Sequence, residues 1–240
     1  MCKKIVLAAT AVVSAAAVVS CWPQAVVRLL RMAFPNVIWE MRSPEWAIAI
    51  TFDDGPDPVF TPKVLEILRE HGIQATFFLV GERVRRFPEQ LQRIREEGHE
   101  VGNHSDSWQR SIQLSDDEFE RDLLRAGQSL GLESMGLESM AQGSGPKLFR
   151  PAGGFIRGSQ LRLLRKHRYC AVLGSAFAFD PYRPPSKYIE WAIGRGLKRG
   201  AIIVLHDSGG DRSKTVGALP AILHRAHAAG YRFVKLSDYV

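Results

Sequence analysis

Acidic and imidazole side chains follow apolar segments at several points of the sequence. Asp53 and Asp54 come directly after the run AIAITF, within TFDDGPDP, and His206 ends the run AIIVLH. Successive side chains at a strand end diverge, so one carboxylate can bind a cation while its neighbour faces a water molecule. The imidazole of His206 suits proton transfer near neutral pH. The same residue types also build ordinary turns, so TFDDGPDP alone leaves both interpretations open.

The segment VGNHSDSW, residues 101–108, carries another such group. His104 follows the strand-like HEVGN, and Trp108 comes four residues later. An imidazole can bind a metal ion, whereas the indole nitrogen of tryptophan is only a hydrogen-bond donor. The segment therefore has the character of one half of a metal site.

Apolar runs alternate with amphipathic stretches from residue 46 onward, and this alternation predicts strands and helices. The predicted strands are Ala47–Phe52, Ala75–Val80, His99–Asn103, Lys147–Arg150, Tyr169–Ser175, Ala201–His206 and Arg232–Leu236. The predicted helices are Thr61–His71, Arg83–Glu97, Asp116–Leu130, Ser159–His167, Lys187–Lys198 and Val216–Ala229.

This order of elements implies an α/β fold with a parallel sheet and right-handed crossovers. About seven strands, and a first strand without a glycine-rich phosphate loop, favour a (β/α) barrel over an open doubly wound sheet. The reactive residues all follow predicted strands, on the face where barrel enzymes assemble their sites. They are Asp53, Asp54, His104, Arg150, Asp180, and His206 with Asp207.

Composition bounds the class of protein and its partners. The 240 residues suit one sizeable domain. The formal charge is +7, but the basic residues are scattered over helical segments without aromatic interleaving, so we expect no nucleic-acid partner. Cys170 lies alone in a strand-like segment and predicts a small core side chain. We expect a monomer.

The first 25 residues predict a signal peptide or an N-terminal membrane anchor. Two lysines precede the apolar segment Ile5–Ser20, and with the residues that follow, the apolar stretch approaches the roughly 20 residues that cross a bilayer. VVSC, Val18–Cys21, resembles a bacterial lipoprotein processing site. We expect residues 26–45 to form a linker and 46–240 the domain, in a protein that is secreted or membrane-anchored and faces outside the cytosol.

Two other features receive structural interpretations. The tandem GLESMGLESM, Gly131–Met140, predicts a surface insertion, because loops absorb added length at small entropic cost. His99 is five residues before His104, which on an alternating strand puts it on the opposite face, and we interpret it as structural.

Five ordered motifs from about Trp46 to Val240 resemble those of the polysaccharide deacetylases, also called NodB-homology or carbohydrate esterase family 4 proteins. They are TFDDGP, GNH, RPAGG, SAFAFDP and VLHD. The resemblance implies a deformed (β/α) barrel that removes N- or O-linked acetyl groups from a glycan by metal-assisted hydrolysis. It does not identify the glycan, whether chitin-like, peptidoglycan-like or a short oligosaccharide.

The resemblance also implies roles for the residues of these motifs. Asp53 is the general base on water, and Arg150 orients it. His206 is the general acid toward the leaving amine, and Asp180 is the carboxylate that tunes it. An acid and a base on opposite sides of the reacting group handle the two proton transfers.

For the metal site, the resemblance implies Asp54 and His104 as ligands of a divalent ion, with zinc expected and cobalt or nickel as alternatives. The family's second motif continues His-Ser/Thr-x-x-His, but here Trp108 stands at the second histidine. Three interpretations follow. Asp106 or another oxygen donor completes the site, two protein ligands suffice, or the metal is lost and the protein is a catalytically degenerate glycan-binding protein.

The substrate side of the site is predicted from three residues. Gly153 and Gly154 belong to the third motif, and Trp108 either stacks on a sugar at the groove edge or fills core space. Asp207 either binds a substrate hydroxyl or supports its own loop. A barrel acting on a non-glycan amide is a further alternative.

Overall fold

The computed structural model describes residues 34–132 and 146–240, together with Val27, Leu29, Arg31 and Met32. The predicted leader, residues 1–25, and residues 133–140 of the duplication lie outside the described residues. Within the described ranges, no helix combines the length and the apolar composition needed to cross a membrane.

A parallel sheet forms the centre of the fold. Its described strands are β1 (Ala47–Asp53), β2 (Thr76–Leu79), β3 (Glu100–Asn103), β4 (Lys147–Phe149), β5 (Tyr169–Ala171), β6 (Ala176–Phe177), β7 (Ile202–His206) and β8 (Arg232–Phe233). The spatial order is β5-β4-β3-β2-β1-β7-β6, and β8 pairs with the beginning of β1.

Helices connect most of these strands and cover the outside of the sheet. They are α1 (Phe60–Glu70), α2 (Gly81–Arg86), α3 (Pro88–Glu96), α4 (Asp116–Ser129), α5 (Gly158–Lys166), α6 (Ser186–Gly196) and α7 (Ser213–Ala228). The sheet curls into a half-barrel, so the predicted deformed (β/α) barrel is confirmed.

Two predicted elements differ from the structure. The strand predicted over Tyr169–Ser175 ends early, because β5 stops at Ala171, and a further strand that we did not predict, β6 (Ala176–Phe177), lies at the opposite end of the sheet. The helix predicted over Arg83–Glu97 is α2 and α3, separated at Phe87. Pro88 opens α3 because a proline has no backbone N–H to donate inside a continuous helix.

Part of the segment that we predicted as a linker packs against the sheet. Ile38 forms a bridge with Val172 beside β5, and Glu40 forms a bridge with Ala201 just before β7. Trp39 between them is buried. This segment therefore crosses the gap between the two ends of the curled sheet.

Alternation along the strands decides which side chains enter the barrel. Ile48, Ile50 and Phe52 of β1 belong to the larger core beneath the helices. Ala47 and Ala49 belong to a second apolar cluster with side chains such as Phe78. Because side chains alternate along a strand, Thr51 and Asp53 continue the row of Ala47 and Ala49 on the inner face.

Candidate active site

The inner faces of neighbouring strands bring the reactive side chains together at their carboxyl ends. Asp53 at the end of β1 is directly opposite His206 at the end of β7. On β4, Leu148 lies in the inner cluster, and Arg150 follows two residues later, on the same face by alternation. The predicted convergence of these three residues is observed.

A buried ion pair fixes Asp53. Arg150 is 2% exposed, and its Nη1 donates to Asp53 Oδ1 and to Thr51 Oγ1, each at 2.6 Å. Its Nη2 donates to the carbonyl oxygen of Leu173 at 2.6 Å, and its guanidinium carbon is 4.0 Å from the ring centre of Phe78. Arg150 therefore contacts Asp53 from inside the barrel, and its role toward a general base stays a prediction.

A second buried pair fixes His206. Its Nδ1 lies 2.9 Å from Asp180 Oδ1, and its backbone N–H donates to Asp180 Oδ2 at 2.9 Å. The hydroxyl of Thr215 also donates to Oδ2 at 3.0 Å. Burial lowers the pKa of His206, but Asp180 and the charges of Asp53 and Asp54 outweigh burial and raise that pKa to about 9. The imidazole is therefore protonated at neutral pH, with Nε2 as its remaining donor.

Asp54 and His104, which we predicted as metal donors, lie side by side in the structure. His104 Nε2 is 3.4 Å from Asp54 Oδ1. His104 Nδ1 lies 2.8 Å from the carbonyl oxygen of Arg150, which can only accept, so the neutral ring carries its lone pair on Nε2. Burial raises the pKa of Asp54, but His104, His206 and Arg212 together lower it below its usual value.

The backbone at Asp54 helps to separate the two neighbouring carboxylates. Asp54 has a φ of 71°, a left-handed conformation that is uncommon for any residue except glycine. Asp53 ends the strand inside the barrel, and the turn at Asp54 points the next carboxylate toward His104. Adjacent residues thereby serve two different parts of the site.

Asp106 does not join the metal donors, contrary to the prediction. Its carboxylate receives Arg85 Nη1 at 2.5 Å and Nη2 at 3.0 Å, and Arg125 Nε lies 3.2 Å away. Its backbone N–H donates to Asp122 Oδ2 at 2.9 Å. Over the described ranges, no set of three His, Cys, Asp or Glu side chains is arranged to hold a metal ion. Asp54 and His104 are therefore the two side chains that would ligate a divalent cation, and this donor set fits an ion that completes its coordination with other oxygen ligands.

Trp108 lies at the surface and not in the core. Its side chain is 53% exposed, and the guanidinium of Arg83 is 5.4 Å from its ring centre. The alternative in which the indole fills vacated core space is therefore wrong.

The two predicted substrate glycines are exposed and follow Arg150 on the same edge of the sheet. Gly153 and Gly154 both have a φ of 78°, which a side chain would strain. A Cβ at Gly153 would also approach Arg110 Cγ at 2.9 Å. Contact of these glycines with substrate stays a prediction.

Two interpretations about neighbouring residues are resolved. Asp207 is fully buried and accepts a hydrogen bond from the hydroxyl of Thr61, so it supports the loop and does not face a substrate hydroxyl. Burial raises the pKa of Asp207 to about 7. His99 accepts a hydrogen bond from the backbone of Ala75, as a structural residue.

Sequence reasoning missed Arg212, which is 3% exposed. It donates to the carbonyl oxygens of Ser208, Gly209 and Pro181, and so connects the loop after β7 with the turn that carries Asp180. No motif marks it, because its partners are backbone atoms. A lone arginine in the glycine-rich loop DSGGDRSKT was the available signal.

The sequence is similar to those of known proteins. The sequence model of the family described as polysaccharide deacetylase matches residues 40–172. A peptidoglycan-N-acetylglucosamine deacetylase of Bacillus cereus is 40% identical over 205 residues, which are 84% of this chain and 92% of that protein.

Solved structures resemble the whole described fold. The Bc1960 peptidoglycan N-acetylglucosamine deacetylase superposes with a TM-score of 0.76 at 31% identity, over 85% of this chain and 92% of that one. A mutant of BA3943, described as a CE4 family pseudoenzyme with restored enzymatic activity, gives a TM-score of 0.73 at 25% identity, over 85% of this chain and 71% of that one.

Proposed function

Since the chain belongs to the polysaccharide deacetylase family, we propose that it is a hydrolase that removes acetyl groups from N- or O-acetylated glycans. The B. cereus relative is named for peptidoglycan N-acetylglucosamine, and we propose a glycan of this N-acetylated kind as the substrate. The observation that carries the proposal is the placement of Asp53 opposite His206, each with its own buried partner.

Asp53 acts as the base. An ionised carboxylate is the form that pairs with a guanidinium, and it is also the form that accepts a proton. Arg150 occupies Oδ1 and holds the group in one orientation. Asp53 removes a proton from the water whose oxygen bonds to the acetyl carbon.

His206 acts as the acid. With its pKa raised to about 9, it carries a proton at neutral pH and is fixed through Nδ1 by Asp180. It gives the proton on Nε2 to the leaving nitrogen, or to oxygen in an ester, as the bond to the acetyl carbon breaks. The products are acetate and the free amine or hydroxyl, and the two proton transfers leave both residues ready to exchange protons with solvent.

Asp54 and His104 are the residues that would hold a divalent cation, with zinc as the proposed ion and cobalt or nickel as alternatives. Such an ion, when bound, polarises an acyl carbonyl and lowers the pKa of water. Two protein ligands are one fewer than the three usual at catalytic zinc, so we expect weak binding.

The N-terminal sequence supports a proposed location. Two lysines followed by an apolar segment suit export or anchoring, and we propose that the protein works outside the cytosol, as a monomer. A glycan of the cell surface is a substrate that this location would supply.

A second candidate is a catalytically degenerate glycan-binding protein. Trp108 at the position of the second histidine favours it, because an indole cannot bind the metal. The two candidates differ in whether a bound glycan loses acetate.

Acetate release by the full-length protein from N-acetylated chito-oligosaccharides and from peptidoglycan tests the hydrolase proposal. We expect Asp53→Asn and His206→Ala to abolish release. Asp117→Asn and His224→Ala change exposed helix residues of the same types and serve as matched controls. Activity that persists in both active-site variants would refute the assigned mechanism, and glycan binding without acetate release by the unaltered protein would support the second candidate.

A further inference from the structure

Two strongly exposed aromatic side chains follow strands on opposite sides of the catalytic pair. Trp108 is 53% exposed on the loop after β3, and Tyr182 is 83% exposed on the turn after β6. Between these strands the sheet order is β3-β2-β1-β7-β6, so the strands that end at Asp53 and His206 lie between the two strands that precede the rings. Four strand spacings amount to roughly 19 Å measured along the curled sheet, which is longer than one sugar ring.

The turn that carries Tyr182 is held in a strained conformation. Asp180–Tyr182 is a 3₁₀ turn flanked by Phe179 with a φ of 51° and Arg183 with a φ of 57°. Left-handed residues other than glycine are costly and persist where surrounding contacts impose them, commonly at functional sites. The same turn supplies Asp180, which holds His206.

Contacts on three sides impose this conformation. Arg183 Nη2 lies 2.5 Å from Asp211 Oδ2, and Arg212 Nη1 donates to the carbonyl oxygen of Pro181 at 3.3 Å. The carboxylate of Asp180 accepts hydrogen bonds from the backbone N–H of His206 and from the hydroxyl of Thr215. The backbone beneath the exposed Tyr182 ring is therefore fixed before any ligand arrives.

Trp108 is supported in a comparable way. Arg83 lies over its ring, and Nε of Arg83 donates to the carbonyl oxygen of Pro56 at 2.7 Å while Nη2 pairs with Asp57 at 3.0 Å. Pro56 and Asp57 belong to the loop that follows Asp53 and includes Asp54. A cleft of about 120 Å³ lies against the ring, lined by Val80, Glu82, Arg83, Arg86 and Trp108.

We propose that Trp108 and Tyr182 are sugar-stacking platforms on either side of the reacting unit, and that the substrate is an extended glycan of at least three units. The inference rests on the proposed function, because it takes Asp53 and His206 to mark the reacting unit. A pyranose ring has apolar C–H faces that pack on an aromatic ring, and a platform held in place before binding loses little entropy when it is covered.

The test compares short and long substrates in the full-length protein. We measure kcat/KM for acetate release from N-acetylated chito-oligosaccharides from the dimer to the hexamer. The hexamer-to-dimer ratio is expected to fall about threefold to tenfold in Trp108→Ala and in Tyr182→Ala, the range that one aromatic contact supplies. Trp108→Phe and Tyr182→Phe keep an aromatic ring and should retain most of the ratio, which separates stacking from loss of folding.

Trp46→Ala is the matched control. Trp46 is 62% exposed, but it lies before the beginning of β1, at the opposite edge of the sheet. Its removal should leave the hexamer-to-dimer ratio unchanged.

Binding measured by calorimetry in an Asp53→Asn background separates this inference from the proposed function. Suppose that the unaltered protein releases no acetate and still binds the hexamer more tightly than the dimer. If both alanine variants then reduce this binding preference, the result supports the stacking platforms and contradicts the hydrolase proposal. A hexamer-to-dimer ratio that neither alanine variant changes, in kinetics or in binding, overturns the inference.

Discussion

The two sides of the active site differ in how completely they are built. On the proton-transfer side, made of Asp53, Arg150, His206 and Asp180, each reactive group has a buried partner of opposite charge. On the cation side, made of Asp54, His104 and Trp108, two donors lie 3.4 Å apart and the third position belongs to an exposed indole.

This difference shows which part of the site the fold itself maintains. Arg150 contacts Asp53, Thr51 and the backbone at Leu173, so it takes part in the barrel interior as well as in the chemistry. Trp108 is 53% exposed, so its ring makes little contribution to the barrel interior. The proton-transfer side is therefore coupled to stability, whereas Trp108 on the cation side is not.

Arg150→Met should have the largest effect, because it leaves a buried carboxylate without its cation. We expect the free energy of unfolding to fall by about 3–5 kcal/mol, the usual result of breaking a buried ion pair. Urea denaturation followed by circular dichroism measures it. Arg93→Met, which removes a contact with Glu97 one helical turn away, is the control and should change little. A similarly small loss of unfolding free energy in both variants would contradict the proposed difference between the two sides of the site.

Asp180→Asn should lower the pKa of His206 from about 9 toward its ordinary value, because the largest contribution that raises it is lost. NMR titration of the imidazole in chelator-treated protein measures this directly. Since His206 acts in its protonated form, the loss of kcat/KM with rising pH should move to lower pH in the variant.

The same raised pKa has a consequence for stability. A group whose pKa is higher in the folded state stabilises the fold fully below pH 6.5, and this contribution disappears as the pH rises to about 9. We expect this decline in the unaltered protein and a weaker one in Asp180→Asn. An equal decline in the two proteins would assign the pH dependence to another group.

Trp108→His tests the cation side directly, because it supplies a third metal donor. We expect affinity for zinc to rise at least about tenfold, as judged by the effect of completing a three-ligand site. Competition with a chromophoric chelator measures it. Trp46→His places an imidazole at the opposite edge of the sheet and is the matched control. Equal affinities in the two variants would mean that residue 108 does not reach the cation.

Asp106→Asn should have the smallest effect. It weakens the contacts with Arg85 and Arg125, and we expect a loss of about 1 kcal/mol in the free energy of unfolding. Zinc binding in equilibrium dialysis should be unchanged, whereas Asp54→Asn should abolish it. If Asp106→Asn abolished zinc binding, Asp106 would have to be counted among the metal ligands.

The sequence was sufficient to predict the barrel and the strand ends at which Asp53, Arg150 and His206 meet, because both depend on local patterns. Apolar runs of strand length ended at Asp53, His104, Arg150 and His206, and parallel strands bring their carboxyl ends to one edge. The break at Phe87 was missed, although Pro88 was the available signal, since a proline cannot continue a helix.

The placement of Asp106 could not be predicted in the same way. Whether its carboxylate turns inward or outward depends on Arg85 and Arg125, which are 21 and 19 residues away on two different helices. Only packing of α2 against α4 brings these guanidinium groups to it. The exposure of Trp108 has the same origin, because the ring is positioned by Arg83 on α2.

The position of Arg150 also determines when the site can exist during folding. Its contact with Asp53 joins residues 97 positions apart, and its contact with Thr51 spans 99. Closing such distant contacts is slow compared with forming local helices. We therefore expect Asp53, the proposed base, to acquire its partner only after β4 has docked beside β3, and β3 has reached β1 through β2. A chain that is still partly folded would carry Asp53 without Arg150, so we expect catalytic competence to be among the last properties that this protein gains.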